Sequence, residues 1–312
     1  MELILAPLAG YTDKAFREIA LSFGADAAVT EMVSAEGLAR DSERTFSLLE
    51  KAEGEENLII QLFGPDADPF RRCIPNLMKV NPRMIDINCG CPVPKVVKTG
   101  AGSALMNTPD RIYDIVKLLK EETGAEISVK FRLGWTENSM NYIEFAHKAV
   151  DAGATMLTMH ARTRAQQYSG VAQKEHFRTL RAEFPKESGI RLYASGDVFT
   201  AEDALEYLDS YDMDGVMFAR GAIGNPFIFR ETRELRATGT YEKPTVMERR
   251  NTALHHLERM IHYYGETLAG KEMRKHVMAY IKGISGANRT KSLLTTAITY
   301  KDYEKALDEL IN

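Results

Sequence analysis

The 312-residue chain reads as an α/β protein, a (β/α)8 TIM barrel followed by a small C-terminal helical bundle. Short apolar, β-branched-rich runs alternate with stretches of helical periodicity, and that alternation implies parallel strands joined by right-handed crossovers. Eight such repeats in roughly 230 residues fit a closed barrel. An open doubly wound sheet usually carries a Gly-x-Gly-x-x-Gly turn after its first strand. Here that turn reads Pro7-Leu8-Ala9-Gly10.

The eight expected strands are Leu3–Ala6, Ala27–Glu31, Leu58–Phe63, Met84–Asn88, Ile127–Arg132, Thr155–His160, Arg191–Ala194 and Gly215–Ala219. Helical spacing marks Lys14–Phe23, Arg44–Glu50, Pro69–Val80, Pro109–Glu122, Asn141–Ala152, Lys174–Phe184 and Ala201–Leu208 between them. Residues 231–245 are polar and read as a linker. From Val246 the strand signal stops, and helices are expected over Val246–Leu268, Lys271–Ile284 and Tyr300–Ile311, with a shorter one near Lys291–Ile298. The domains expected are therefore 1–238 for the barrel and 239–312 for the helical region.

Composition is that of a soluble globular protein. No apolar run reaches the roughly 18 residues of a membrane span, and the N-terminus lacks the pattern of a signal peptide. A cytoplasmic protein without membrane contact is expected. The three cysteines, Cys73, Cys89 and Cys91, are too few and too oddly spaced for a disulfide framework or a zinc site, so no metal is expected. The whole chain carries −4, but residues 245–312 carry +3, a basic tail on an acidic body. A monomer is expected.

Barrel enzymes place their chemistry at the C-terminal ends of the strands. Here those ends carry Pro7, Glu31, Gln61, Asn88, Lys130 with Arg132, His160, Ser195-Gly196-Asp197 and Ala219-Arg220-Gly221. Polar residues there include Lys, Arg and His, more than the start of a loop requires. The last two strands of such barrels often end in a phosphate site. Glycine lets the backbone approach an anion, and Arg220 can fork onto phosphate oxygens.

The fourth strand runs into Asp86-Ile87-Asn88-Cys89-Gly90-Cys91-Pro92, followed by Gly100-Ala101-Gly102-Ser103-Ala104-Leu105-Met106. This pair of motifs resembles the signature of the tRNA-dihydrouridine synthases, flavoenzymes that reduce the C5=C6 bond of uridines in tRNA. The resemblance runs from Pro7 to about Gly283. It implies FMN at the mouth: Gln61 on the pyrimidine edge of the flavin, Lys130 near N1 and O2, Pro7, Leu8 and Ala9 against the ring, and His160 in contact with it. Ser195, Gly196, Asp197, Ala219 and Arg220 make the phosphate cup. Cys91 becomes the general acid for C5 after hydride reaches C6. Asn88 is expected to touch both flavin and uracil, and Arg132 and Arg162 fall to the substrate, the last within His160-Ala161-Arg162-Thr163. NADPH or NADH is the implied reductant, with the choice open because no dinucleotide fingerprint is present.

The segment Met273-Arg274-Lys275-His276 with Tyr280, Lys282 and Gly283 resembles the family's tRNA-gripping helix, so Arg274, Lys275 and Lys282 are expected to meet phosphates. Two positions depart from the family pattern, Ser195 where Asn is common and Ala279 where Trp is common. A small-molecule flavin reductase of the dihydroorotate dehydrogenase type and a non-catalytic RNA binder are the competing readings. The first has little use for a basic helical tail.

Overall fold

A computed structural model describes residues 1–311; Asn312, at the end of the expected helical region, lies outside them. Eight parallel strands form a ring: β1 (Glu2–Leu5), β2 (Ala27–Val29), β3 (Leu58–Phe63), β4 (Met84–Cys89), β5 (Glu126–Arg132), β6 (Met156–His160), β7 (Arg191–Ser195) and β8 (Gly215–Phe218). Strand β1 pairs with both β2 and β8, and β2 pairs with β3, so the barrel closes. Each expected strand forms with ends within two residues of those read from the sequence. A further short strand, Val33–Ser34, pairs with Leu62 and Phe63 beyond the end of β2, along the same edge of β3. At two residues it is too short to show a period.

Side chains alternate across a strand, and here the alternation builds the site. Inward residues Ile4, Ala27, Val29, Ile59, Met84, Met156, Tyr193 and Met217 fill the barrel as one apolar plug. Two residues further along, the inward positions turn polar: Gln61, Asp86, Ser128 and Thr158 are buried, with Asn88, Lys130 and His160 above them. Outward residues pack under the helices as the larger core.

Residues 231–245 are not all linker. A helix, Ile228–Thr238, completes the barrel and stops at Gly239, whose φ of 79° ends it. Its composition is polar because it buries one narrow face, Ile228, Phe229, Glu231 and Thr232, while Arg233 bonds the Gly24 carbonyl and Asp26 across the gap. The helix expected over Val246–Leu268 breaks at Gly265, giving Val246–Tyr264 and Glu266–Tyr280. Helices Asn288–Leu294 and Tyr300–Asp308 follow. Among the described residues no helix is long and apolar enough to cross a membrane.

The helical region docks on helix Lys14–Ser22 and the loop before it. Phe16 stacks on His256, with ring centroids 5.5 Å apart, and Tyr11 meets His276 edge-on. Within the region, Gly270 lies so close to the Ile298 carbonyl that an added Cβ would overlap its oxygen. Gly270→Ala is therefore expected to cost about 1–3 kcal/mol, the usual range for overpacking. Thermal unfolding checks this, and an unchanged midpoint would show that the contact can relax freely.

Candidate active site

The strand register assembles the mouth. Asn88 lies opposite Lys130, Arg132 opposite His160, and His160 opposite Ser195. Neighbours in register share a face, so these residues point to the same end of the barrel. There a pocket is lined by Pro7, Leu8, Lys130, His160, Ser195, Gly196, Asp197, Ala219 and Arg220, among others. Nine of the expected cofactor residues thus converge from β1, β5, β6, β7 and β8. Ala9 is exposed and outside the lining, and Gln61 lies beneath it, wholly buried.

The cup is held by Asp197. Its Oδ2 accepts from Arg162 Nη2 at 2.5 Å and from the Ala172 backbone at 2.9 Å, while Oδ1 accepts from Arg220 Nη2 at 3.2 Å. Burial alone would raise this carboxyl. Hydrogen bonds from Arg162 and Ala172 and the nearby guanidinium charges hold it below the usual range. Gly196 beside it has φ of 115°, and an added Cβ would sit 2.8 Å from His160 Cδ2. Among the described residues nothing accepts from the backbone N–H groups of Gly196 and Asp197, which leaves two donors for an anion next to Arg220.

Two side chains set the polarity of the pocket wall. Burial, reinforced by Arg132, pulls Lys130 down to about 8. Burial, with Arg132, Lys130 and other cations around it, drives His160 well below its ordinary range, so the imidazole is neutral.

Cys91 sits on the loop that leaves β4. Its backbone N–H donates to Asn88 Oδ1 at 2.9 Å, and its carbonyl accepts from Ser103 N at 3.1 Å. The loop is therefore tied both to the barrel and to the later glycine motif. Gly102 is needed there, because a Cβ would fall 2.9 Å from the Cys91 carbonyl oxygen. Cys73 and Cys89 are buried; Cys91 is partly exposed. Burial raises its thiol above the ordinary value despite the nearby charges of Arg132 and Lys130, so it carries its proton at neutral pH. A lysine ammonium and an anion cup at the mouth can hold an anionic group, and a protonated thiol on the loop that leaves β4 can donate a proton.

A family model described as dihydrouridine synthase (Dus) matches residues 4–312. The chain belongs to the dihydrouridine synthase family. It is 39% identical over 307 residues to the probable tRNA-dihydrouridine synthase of Treponema pallidum (strain Nichols), covering 96% of this chain and 90% of that one. It is 34% identical over 282 residues to the tRNA-dihydrouridine synthase B of Shewanella oneidensis, covering 90% and 86%. Among solved structures, an (S)-mandelate dehydrogenase aligns with a TM-score of 0.50 at 14% identity, covering 76% of this chain and 73% of that one. That likeness is one of fold.

In this member of the dihydrouridine synthase family the two arginines read for substrate also brace the backbone around the mouth. Arg132 donates through Nε to the Gly90 carbonyl at 2.6 Å and through Nη1 to the carbonyls of Thr163 and Gln167. Arg162 donates to the carbonyls of Ser169 and Gly170 as well as to Asp197. Both are almost wholly buried, and together they hold the 163–170 loop over the mouth. That loop carries Tyr168, which is 53% exposed, lines the pocket and lies 4.9 Å from the Arg220 guanidinium. Sequence reasoning gave Tyr168 no role; an aromatic in the loop that follows a strand-end His-x-Arg was the available signal.

The tail residues are spread out. Lys275 pairs with Glu272, covers the Tyr11 ring and reaches within 4.0 Å of where a Cβ on Gly10 would sit, so it stands beside the mouth. Lys282 is exposed. Arg274 donates to the Ala297 carbonyl and so braces the helical region. Ala279 packs against Gly224, on the loop after β8, where an added Cβ would press on its methyl group.

Proposed function

We propose that this chain reduces the C5=C6 bond of uridines in tRNA to 5,6-dihydrouridine, using FMN held at the barrel mouth and NAD(P)H as reductant. The observation that supports it most is the placement of Cys91. Within a family match that spans nearly the whole chain, it is the one partly exposed thiol among the described residues, and Asn88 ties it to the rim that Lys130 shares with the cup. The residues fit the cofactor: Gly196 leaves a cradle that a Cβ would fill, and Arg220 with two free backbone N–H groups suits a phosphate. When bound, FMN supplies, once reduced, the hydride for C6 of the uracil.

The chain's own residues do the rest. Lys130 places positive charge on the N1 and O2 side of the ring. Neutral His160 and the Pro7–Leu8 segment line the same pocket and would flank the bound ring. Arg132 and Arg162 keep the 163–170 loop over the mouth and water out. Cys91 holds the proton that C5 receives. The uracil must leave its stack to reach the mouth, and Lys275 and Lys282 neutralise phosphates around it without reading sequence.

Lys130 gives the site a pH dependence. The free protein loses this charge as pH rises through about 8, so FMN affinity is expected to fall over that range. The loss is roughly 10–100-fold, since a hydrogen bond to a charged group is worth about 1.5–3 kcal/mol. Lys130→Arg, which does not titrate there, is expected to flatten the profile. Flavin fluorescence titrations from about pH 6 to about pH 10 would show it, and a profile identical in both proteins would remove Lys130 from the ring.

The deciding experiment supplies the purified, FMN-loaded protein with NADPH and an unmodified tRNA transcript, then maps dihydrouridine by mass. Uridine positions gaining two hydrogens are expected. A protein that takes up no FMN, or that leaves all tRNA unreduced with its flavin reduced, overturns the proposal.

A further inference from the structure

Beneath the mouth, side chains from three strands form one line of hydrogen bonds. Ser128 Oγ donates to Asp86 Oδ1 at 2.6 Å, and Gln61 Nε2 donates to Asp86 Oδ2 at 2.6 Å. Asn88 Nδ2 donates to Gln61 Oε1 at 2.7 Å. The backbone N–H groups of Gly90 and Cys91 donate to Asn88 Oδ1 at 3.2 and 2.9 Å. Asp86, Gln61 and Ser128 are fully buried, and Asn88 nearly so.

The two ends of this line fix its direction. A backbone N–H can only donate, so Asn88 must turn its oxygen to the Cys91 loop. An ionised carboxylate can only accept, so Gln61 must turn its nitrogen to Asp86. Both constraints agree, and flipping either amide would set like groups face to face in a buried site, each left unsatisfied. Asn88 Oδ1 already accepts two bonds, its full capacity. What remains for the mouth is the second N–H of Asn88. Burial raises the Asp86 carboxyl above its usual range, opposed by the bonds from Gln61 and Ser128 and by the charge of Lys130. Lys130 stands opposite Asn88 in register.

We propose that Asp86 is a positioning residue for the reaction inferred above: acting through Gln61, it locks Asn88 as a hydrogen-bond donor to the mouth and pins the backbone that carries Cys91. The site then accepts a pyrimidine edge bearing a carbonyl oxygen beside Cys91, and opposes one bearing an amino group there, where N–H would meet N–H. Gln61 becomes a relay, with its oxygen turned to Asn88 and its nitrogen to Asp86.

A double-mutant cycle tests this, with three readouts: FMN affinity, single-turnover uridine reduction by pre-reduced enzyme, and the rate of Cys91 alkylation by iodoacetamide. Asp86→Asn turns the charged acceptor into a neutral one and is expected to slow uridine reduction about tenfold, in line with losing the charge from a buried hydrogen bond. Gln61→Glu sets carboxyl against carboxyl, where like charges cannot both ionise: a shared proton keeps the line intact at low pH, and a loss of about 100-fold with faster alkylation, each relative to wild type at the same pH, is expected once that proton leaves. In the double variant the amide introduced by Asp86→Asn donates to the carboxylate introduced by Gln61→Glu, and that carboxylate still accepts from Asn88. The double variant is expected to recover at least about tenfold over Gln61→Glu alone and to restore slow alkylation, a coupling that a merely structural role would not produce.

A double variant no better than Gln61→Glu overturns the assignment. Should Gln61→Glu fail to fold, Asp86→Asn decides alone, and an unchanged rate with unchanged alkylation overturns it. The outcome is separable from the function itself. Wild-type protein that binds no FMN or reduces no uridine defeats the proposed function, whereas a working wild type with an additive cycle defeats only the role of Asp86.

Discussion

Cys91→Ala is expected to lower uridine reduction by about 10²–10⁴-fold, the usual contribution of a positioned general acid, while FMN binding and its reduction by NADPH stay at wild-type levels. The asymmetry follows from where the thiol sits. Its sulfur is not part of the pocket lining, and the contacts that hold the loop are made by backbone atoms: the Cys91 N–H to Asn88 and the Cys91 carbonyl from Ser103. Alanine keeps both. What it removes is a proton that burial keeps on sulfur at neutral pH. Separate measurement of flavin reduction and of dihydrouridine formation checks the split. Uridine turnover within about threefold of wild type, well short of that range, would assign the proton to another group. A parallel fall in flavin reduction would mean that the substitution disturbs the rim.

The barrel was legible because strand ends and helix ends obey local rules. All eight strands follow from apolar runs closed by polar residues, and the same rule brought Pro7, Lys130, His160, Ser195 and Arg220 to one mouth. Where local rules failed, the cause is tertiary. Helix Ile228–Thr238 looks like a linker because one narrow apolar face is enough once Arg233 can reach Gly24 and Asp26, contacts more than 200 positions away in the chain. Gly265 divides one long periodic stretch because its φ of 77° turns the chain, and periodicity alone does not show where a turn is placed.

Side-chain direction was the harder part of the site to read. A strand-end arginine looks the same in sequence whether it meets substrate or a carbonyl. Arg132 and Arg162 found carbonyls, because the 163–170 loop offers four of them within reach. Gln61 ended beneath the mouth for a similar reason: Asp86, two residues before Asn88 on the same face, gives its amide a partner. That pairing was within reach of the alternation rule, since Met84, Asp86 and Asn88 must point inward together, and a buried Asp must find donors.

Gly196→Ala is the second large effect expected, and its target is the cofactor. The residue follows β7 with φ of 115°, a conformation that costs an L-residue about 1–3 kcal/mol. Its Cβ would also lie 2.8 Å from His160 Cδ2 and 3.2 Å from Nε2. His160 has little room to yield, because it is buried in register between Arg132 and Ser195. On the other side, the Gly196 carbonyl accepts from the Tyr207 hydroxyl. The cheapest relief is to move the backbone at 196 and 197 outward. That movement withdraws the two free N–H groups and shifts Asp197, on which both Arg162 and Arg220 depend. One methyl group therefore disorganises the whole cup. The variant is expected to fold, since its plug and outer core are untouched, and to be purified without flavin, with FMN affinity down by at least about 100-fold, equivalent to roughly 3 kcal/mol. Absorbance of the purified protein and fluorescence titration with FMN check it. Wild-type flavin content in Gly196→Ala would move the phosphate away from this cup and leave Arg220 without the role assigned to it.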